Sequence, residues 1–455
     1  MIKINTTHLV SILYILAFIG PGVSYGKLYL FHVALVPVMI LLHFSVTASN
    51  RYSLIPSRGW RFYVFFFVWY VLSVFWSINR TYSYVYLGYL FFGGIIIFSA
   101  LYWMDSFYKQ TRVFKALVVV ALADIGFSVL EVISRFRLPV SPFSKYLDLV
   151  GRGGQGGIVT AYKSSMPTGF HWNPNNLAGV LIIILPFFLF SPKKWVRFAG
   201  SLTILLLIIA AGSRGCLLAY IITLIIWGFA HSAKRAFKIF FFYLPIGVFL
   251  GVLFFNIPQI ANNKKVAEAM STFSAVKDYI AFNKTSHAGD SISTRKYLIV
   301  RGIEELKRTY GLGVGAGASR YVFEQEGSRI TSMHNFWIEL LVEGGLLAGG
   351  GFIIWYIFIA VQLYKKYFKY KQSITYKENH IARYFCGALS TSMTGYFFAA
   401  VSASSVIYVL PMWIMIGFAL ATINNEKHLV SKKKNNKVKC QWTGKMSPLL
   451  RRRSS

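Results

Sequence analysis

The sequence predicts an all-α polytopic membrane protein, with about twelve transmembrane helices and a long outward-facing loop before the tenth. Three observations predict this class. The chain of 455 residues is 55% hydrophobic and only 14% charged, whereas ordinary soluble domains carry about 25% charged residues. Apolar runs of about 17 to 23 residues recur along it, each long enough to cross a bilayer as a helix. The runs lack the alternation of apolar and polar residues that is typical of a membrane β-barrel. They are therefore predicted to be helices, the other structure in which all backbone hydrogen bonds can form within lipid.

The candidate spans are apolar segments separated by polar or charged residues. They cover roughly residues 8–24, 28–47, 61–78, 84–104, 113–134, 175–191, 196–211, 215–231, 236–257, 338–363, 383–402 and 405–423. The first is expected to stay uncleaved, because a second span follows at once and no clean cleavage site is evident.

Basic residues are divided unevenly between the predicted loops. Five short loops on one side carry eighteen Lys and Arg residues, whereas the four on the other side carry three. This is the positive-inside pattern, and it predicts that both termini are cytoplasmic. The net charge of +33 therefore does not indicate nucleic-acid binding, and we expect the basic tail to be solvated near anionic lipid headgroups. We expect a membrane domain over 1–424 and a basic cytoplasmic tail over 425–455.

Two long segments are predicted to face outward, at about 135–174 and 258–337. Long loops in compact proteins are usually functional or disordered. Within the second loop, 295–309 has a partial helical stripe and the Gly-rich run 311–317 follows. The run could cradle a phosphate with backbone amides, although it lacks the lysine and Ser/Thr of a P-loop.

His334 lies where this loop re-enters an apolar segment. Asn335 is a good N-cap and a candidate for binding the substrate. The positive end of the helix that follows disfavours an imidazolium. A neutral histidine there could act as a general base. The alternative is an interfacial histidine that only hydrogen-bonds the loop.

Three arginines are candidates for binding an anion. Arg214 lies in a short outer hairpin, where an unpaired guanidinium is costly, and its planar fork suits a phosphate or diphosphate. Arg295 and Arg301 lie on the predicted loop helix. The alternatives are snorkelling to lipid headgroups for Arg214 and a solvated helix face for the other two.

Amide and acidic side chains complete the candidates. Asn173 and Asn175 flank Pro174 in a predicted turn and helix cap, and aromatic residues beside amides suit sugar binding. Glu339 and Glu343 share one helix face and either pair with an outer arginine or are structural, and Glu339 is also a candidate for binding the substrate. Asp124 is mid-membrane, so it is either functional or a structural partner of Arg or Tyr.

Metal and nucleotide motifs are not evident. The chain has no Asp-x-Asp, Walker or G-x-S-x-G motif, and Cys216, Cys386 and Cys440 are too scattered for a metal site or a disulfide framework. We therefore expect no metal and no cofactor. A cytoplasmic nucleotide-sugar donor is disfavoured.

These segments together resemble the O-antigen ligase and polymerase superfamily of bacterial envelope glycosyltransferases. The matching pieces fall within about 165–355. They are Phe170 to Ala178, Gly212 to Gly215, Arg295 before a loop helix, the Gly311 to Gly317 run, and His334-Asn335 followed by Glu343 to Leu346.

The resemblance implies a metal-independent transferase in the bacterial plasma membrane, thought to invert the anomeric centre. It implies a donor glycan on undecaprenyl diphosphate, used at the outer face, with His334 as base and with Arg214 and Arg295 on the diphosphate. Its partners would be the donor, a glycan acceptor and membrane lipids, with a flippase and chain-length proteins as further candidates.

Three activities stay open. The first is polymerisation of lipid-linked repeat units into a polysaccharide of the teichuronic acid, capsule or O-antigen type. The second is ligation to lipid A core or another acceptor, which the register of Gly344 to Gly349 fits poorly. The third is a carrier of lipid-linked glycan.

Overall fold

The computed structural model describes residues 6–25, 28–47, 59–134, 166–171, 173–232, 237, 291–326, 332–372, 377–401 and 407–425. Most of them lie in helices. Besides turns and short connecting segments, the described part contains a pair of two-residue strands, β1 (Ser24–Tyr25) and β2 (Leu28–Tyr29), which pair antiparallel between the first two helices.

The helices follow the predicted apolar segments. In chain order they are α1 (Thr6–Ile19), α2 (Leu30–Thr47), α3 (Trp60–Ser73), α4 (Arg80–Trp103), α5 (Phe107–Ser134), α6 (Pro174–Leu189), α7 (Lys194–Ala210), α8 (Arg214–His231), α9 (Ser291–Arg308), α10 (Ser319–Gln325), α11 (Phe336–Gly345), α12 (Gly351–Gln372), α13 (Lys377–Ala399) and α14 (Leu410–Asn425). Every predicted span except 236–257 overlaps one of these helices. That span lies outside the described residues apart from residue 237.

Four segments of the described chain are long and apolar enough to cross a membrane. They are Arg80–Trp103, Phe107–Ile133, Arg214–His231 and Phe336–Lys371. The molecule is therefore an integral membrane protein of mostly helical structure. The total of twelve spans and the orientation of the termini stay predictions.

The core lies around α13, which packs against α6, α8 and α12. Small residues allow close helix contacts there, as is usual between membrane helices. A Cβ added at Gly387 of α13 would lie 2.4 Å from the ring of Phe190, and one at Gly395 would lie 2.3 Å from the Thr223 hydroxyl oxygen. These contacts fix how α6, α8 and α13 meet, and the candidate site lies at one end of these helices.

The predicted tenth span, 338–363, is not one continuous helix. It breaks at Gly345, whose φ of +72° is a left-handed conformation that favours glycine. A Cβ at Gly345 would also lie 2.4 Å from the Gly311 carbonyl oxygen. A π-helical turn over Leu346–Gly350 then leads into α12. The short helix α11 is thus a separate element, and it begins directly after His334-Asn335.

The glycine run after α9 stabilises α11 and does not form a phosphate cradle. The predicted loop helix is confirmed as α9, and Gly311, Gly313, Gly315 and Gly317 all have positive φ. The amides of Val314 and Gly315 donate to the carbonyls of Val342 (2.8 Å) and Glu343 (3.1 Å) at the end of α11. Since these N–H groups satisfy the open carbonyls of a helix terminus, they are not available to a phosphate.

Candidate active site

The predicted site residues lie at one end of the bundle, where α6, α8 and α11 begin and α13 ends. The Phe336 amide donates to the carbonyl of Ala400 (3.0 Å), which ties the start of α11 to the end of α13. The Asn176 side-chain amide donates to the Tyr408 hydroxyl (2.8 Å), which ties the start of α6 to the segment before α14. We call this end of the bundle the site end.

Arg214 is the first residue of α8 and is exposed at the site end. The chain turns into α8 through Gly212, with φ +66°, and Ser213 is the N-cap residue. A helix N-terminus has unpaired N–H groups and a partial positive charge. Arg214 therefore adds a full positive charge at a place that already favours an anion.

Arg295 lies near the start of α9 and is partly buried. Burial and the positive charge of Arg214 lower the pKa of Arg295 from its ordinary value. The structure thus brings these two arginines within electrostatic range of each other. Like charges repel, and an anion bound between them would replace that repulsion with two attractions. The pair is suited to a phosphate or diphosphate group.

Arg301 does not join that pair. Its guanidinium forms ion pairs with Glu305 of its own helix (2.7 Å) and with Glu326 after α10. The Glu326 carboxylate also accepts a hydrogen bond from the Tyr297 hydroxyl (2.7 Å). Arg301 therefore fixes α9 to the end of α10, and its role in binding substrate stays a prediction.

His334 immediately precedes the cap of α11. Its φ of +48° lies in the left-handed region, which is uncommon for a residue with a side chain. The Asn335 side chain accepts from the Ile338 amide (3.3 Å), so the predicted N-cap is confirmed. Burial and the charge of Arg295 lower the pKa of His334 to about 4. The imidazole is therefore neutral near pH 7, because of its burial and its arginine neighbour.

The predicted cap at the start of α6 is also confirmed. The Asn173 side chain accepts from the Asn175 amide (2.8 Å), and Pro174 is the first helical residue. Asn175 is partly exposed beside this cap. Contacts of Asn173 and Asn175 with substrate stay predictions, and Trp172 lies outside the described residues.

Two carboxylates of α5 hold the turn that leads into α6. Glu131 accepts from the amides of Thr168 (2.7 Å) and Gly169 (2.9 Å). Asp124 accepts from the Phe170 amide (2.8 Å), and its second oxygen lies 3.3 Å from Nε2 of His171. We call Asp124 and Glu131 the carboxylate clamp. Asp124 thus has a structural role, but its partners are backbone and histidine instead of the expected Arg or Tyr.

We expect Glu131→Leu to loosen this turn. One oxygen of the Glu131 carboxylate accepts both backbone N–H groups, and leucine has no acceptor to replace it. An unsatisfied buried donor costs about 1–3 kcal/mol. The loss should appear as a lower melting temperature. Asp105→Asn is the matched control, since it removes a carboxylate whose ion pair with Lys109 is exposed and worth about 0–1 kcal/mol. Equal melting temperatures for the two variants would contradict the clamp.

Glu339 and Glu343 have different surroundings although both are buried on α11. Glu343 accepts from the Ser319 hydroxyl (2.6 Å), which fixes the start of α10 to α11. It is therefore structural. Glu339 lies within electrostatic range of Tyr408 at the site end. A substrate-binding role for Glu339 stays a prediction.

The central part of the chain matches the sequence model of a known protein family. Residues 199–355, from within α7 to within α12, match the model of the O-antigen ligase family. The chain carries an O-antigen ligase family domain. Arg214, Arg295 and His334 all lie inside the O-antigen ligase domain, and the resemblance expected from the sequence is confirmed.

A curated relative extends the similarity over most of the chain. It is the teichuronic acid biosynthesis protein TuaE of Bacillus subtilis (strain 168), 22% identical over 426 residues, which cover 90% of this chain and 81% of the relative. Together with the O-antigen ligase domain, this similarity indicates that the protein is a membrane protein of the O-antigen ligase or polymerase type. Both similarities support a glycosyltransferase-like enzyme.

Three polar residues at the site end were missed by the sequence reasoning as individual candidates. They are Asn176, Tyr396 and Tyr408. Asn176 gave a local signal, because it follows Asn175 at the start of α6. The two tyrosines look like the many other aromatic residues of the apolar segments.

Proposed function

We propose that this protein polymerises undecaprenyl-diphosphate-linked repeat units of a cell-surface polysaccharide, of the teichuronic acid, capsule or O-antigen type. The observation that carries the proposal is the grouping of a neutral histidine with two arginines at one end of a membrane helix bundle. The name of the relative, which refers to teichuronic acid biosynthesis, supports polymer synthesis.

The proposed reaction is a direct glycosyl transfer. A hydroxyl of the acceptor sugar attacks the anomeric carbon of the donor, and His334 takes the proton of that hydroxyl. The bond from the anomeric carbon to the diphosphate oxygen breaks, and its electron pair stays on the diphosphate. Arg214 and Arg295 stabilise the charge that develops there. Attack opposite the leaving group inverts the anomeric centre, and the arginines supply the charge stabilisation without a metal ion.

The other predicted residues are proposed to support this group. Asn173, Asn175 and Glu339 are proposed to contact the donor or acceptor. Asn335 positions His334 through the α11 cap, and Arg301 positions Arg295 by fixing α9. We propose that the site end faces outward and that both termini are cytoplasmic, in line with the charge asymmetry of the loops.

A ligase is the second candidate, because the matched family is described as O-antigen ligase. A ligase would use the same base and the same arginines. It would differ in transferring a finished glycan once, to lipid A core or another acceptor.

Product length separates these functions. The purified protein in liposomes is given a lipid-linked repeat unit, and the products are separated by size. Polymerisation predicts a ladder of chain lengths, whereas a single transfer to a different acceptor identifies a ligase. If no glycosidic bond forms and the lipid only changes leaflet, the molecule is a carrier and the proposal is wrong.

A further inference from the structure

A small polar cluster lies beside the arginine pair and is not used by the mechanism above. It contains Asn176 at the start of α6, Tyr396 near the end of α13 and Tyr408 before α14. Asn176 donates to the Tyr408 hydroxyl (2.8 Å). The Tyr396 ring lies against Gly179, where an added Cβ would be 3.6 Å from a ring carbon. Since Asn176 and Gly179 are three residues apart on one helix, both lie on the same side of α6.

Two atoms of this cluster have no hydrogen-bond partner among the residues that the structure describes. They are the Asn176 side-chain carbonyl oxygen and the Tyr396 hydroxyl. Asn176 is 3% exposed and Tyr396 1% exposed. Buried polar atoms in folded proteins nearly always have a partner, so exceptions point to a ligand, a solvent molecule or a functional role. One atom is an acceptor only, and the other can donate.

The cluster and the proposed diphosphate site have Cys216 as a common neighbour. Tyr396 is within electrostatic range of Cys216 in the first turn of α8, and Cys216 is within range of Arg295. Tyr408 and Tyr89 are partly exposed, and their rings lie 5.9 Å apart. The cluster therefore has an aromatic, partly open side as well as two buried polar atoms.

We propose that this cluster binds the sugar residue joined directly to the diphosphate of the donor. An N–H or O–H of that sugar donates to the Asn176 carbonyl oxygen, and a sugar oxygen accepts from the Tyr396 hydroxyl. The first sugar fits because it lies next to the diphosphate on the arginines. Apolar walls with a few placed polar groups are typical of small-molecule sites. The inference rests on the proposed function, since it takes the arginines as the diphosphate site.

Tyr396→Phe tests the inference because it removes only the unpartnered hydroxyl. Binding to the protein in nanodiscs is measured for two probes, the lipid-linked repeat purified from the producing cells and bare undecaprenyl diphosphate. We expect about tenfold weaker binding of the sugar-bearing lipid, the usual size for one hydrogen bond, and unchanged binding of the bare lipid. The melting temperature of the ligand-free protein should not fall. Asn176→Leu should reproduce the selective loss.

Tyr356→Phe is the matched control. The Tyr356 hydroxyl is also buried between α12 and α13, but it donates to the Met393 carbonyl (2.7 Å). Its removal should lower the melting temperature and leave both binding constants unchanged. Equal binding of the sugar-bearing lipid by wild type and Tyr396→Phe would overturn the inference, as would an equal loss for both lipids. If wild type binds neither lipid, the proposed function itself is wrong.

Discussion

Replacing His334 by Asn is expected to reduce glycosyl transfer by about two to four orders of magnitude, the range that general-base catalysis contributes. Asparagine tolerates the left-handed backbone conformation seen at His334 but cannot accept a proton from the attacking hydroxyl. The loss should therefore appear in kcat, while the KM for the lipid-linked donor changes by no more than a few fold. Single-turnover measurements with a labelled donor in liposomes separate the two quantities.

Tyr310→Asn is the matched control for this change. Tyr310 also has a positive φ, of +50°, and is 96% exposed. The same substitution in the same backbone region should leave kcat within about twofold if the effect at His334 is chemical. A comparable loss in both variants, or an unchanged kcat in His334→Asn, would rule out His334 as the base.

The pH dependence gives a second readout of the same residue. A base works only when unprotonated, and the pKa of the free His334 is lowered to about 4 from 6.5. We therefore expect kcat/KM to stay level as the pH falls from 7 to 5 and to decline with a midpoint near pH 4. A decline centred near 6.5 would show that the base is an ordinary exposed histidine. Circular dichroism at each pH checks that the protein remains folded.

The helix caps and the loop helix near the site could be predicted from the sequence, because each depends on residues that are close together in the chain. Asn173 and Asn335 cap helices because their short side chains reach an amide two or three residues ahead, a relation visible in any stretch of sequence. The loop helix α9 was predicted from its own stripe of apolar residues. The family resemblance, which rests on ordered short segments, placed Arg214, Arg295 and His334 in one group. In the structure Arg295 lies within electrostatic range of both Arg214 and His334.

Contacts between distant segments could not be predicted in the same way. The glycine run suggested a phosphate cradle because its conformational freedom is a local property, whereas its hydrogen bonds to Val342 and Glu343 depend on how α9 and α11 meet. The helix break at Gly345 could not be predicted either, because the apolar pattern of the sequence continues across this residue. The pairing of Arg301 with Glu326 joins α9 to α10, a helix that the sequence reasoning did not predict.

The second large effect is expected at Arg295. Arg295→Ala should lower kcat for glycosyl transfer by about 10²–10³-fold, which is the size of loss seen when one group that stabilises developing charge is removed. Arg295→Lys should recover only part of this, because lysine keeps the charge but lacks the planar fork that holds two phosphate oxygens. Lys296→Ala is the matched control, since Lys296 is the exposed neighbour on the same helix and its removal changes the net charge equally.

Pyrophosphate provides a test that does not depend on turnover. Arg214 and Arg295 repel each other in the ligand-free protein, so pyrophosphate should raise the melting temperature of wild type and of Lys296→Ala, and of Arg295→Ala much less. A purely structural arginine predicts a different result, a less stable Arg295→Ala protein whose melting temperature still rises with pyrophosphate. Equal losses in Arg295→Ala and Lys296→Ala would mean that the site attracts anions through its overall charge, not through a pair of positioned guanidinium groups.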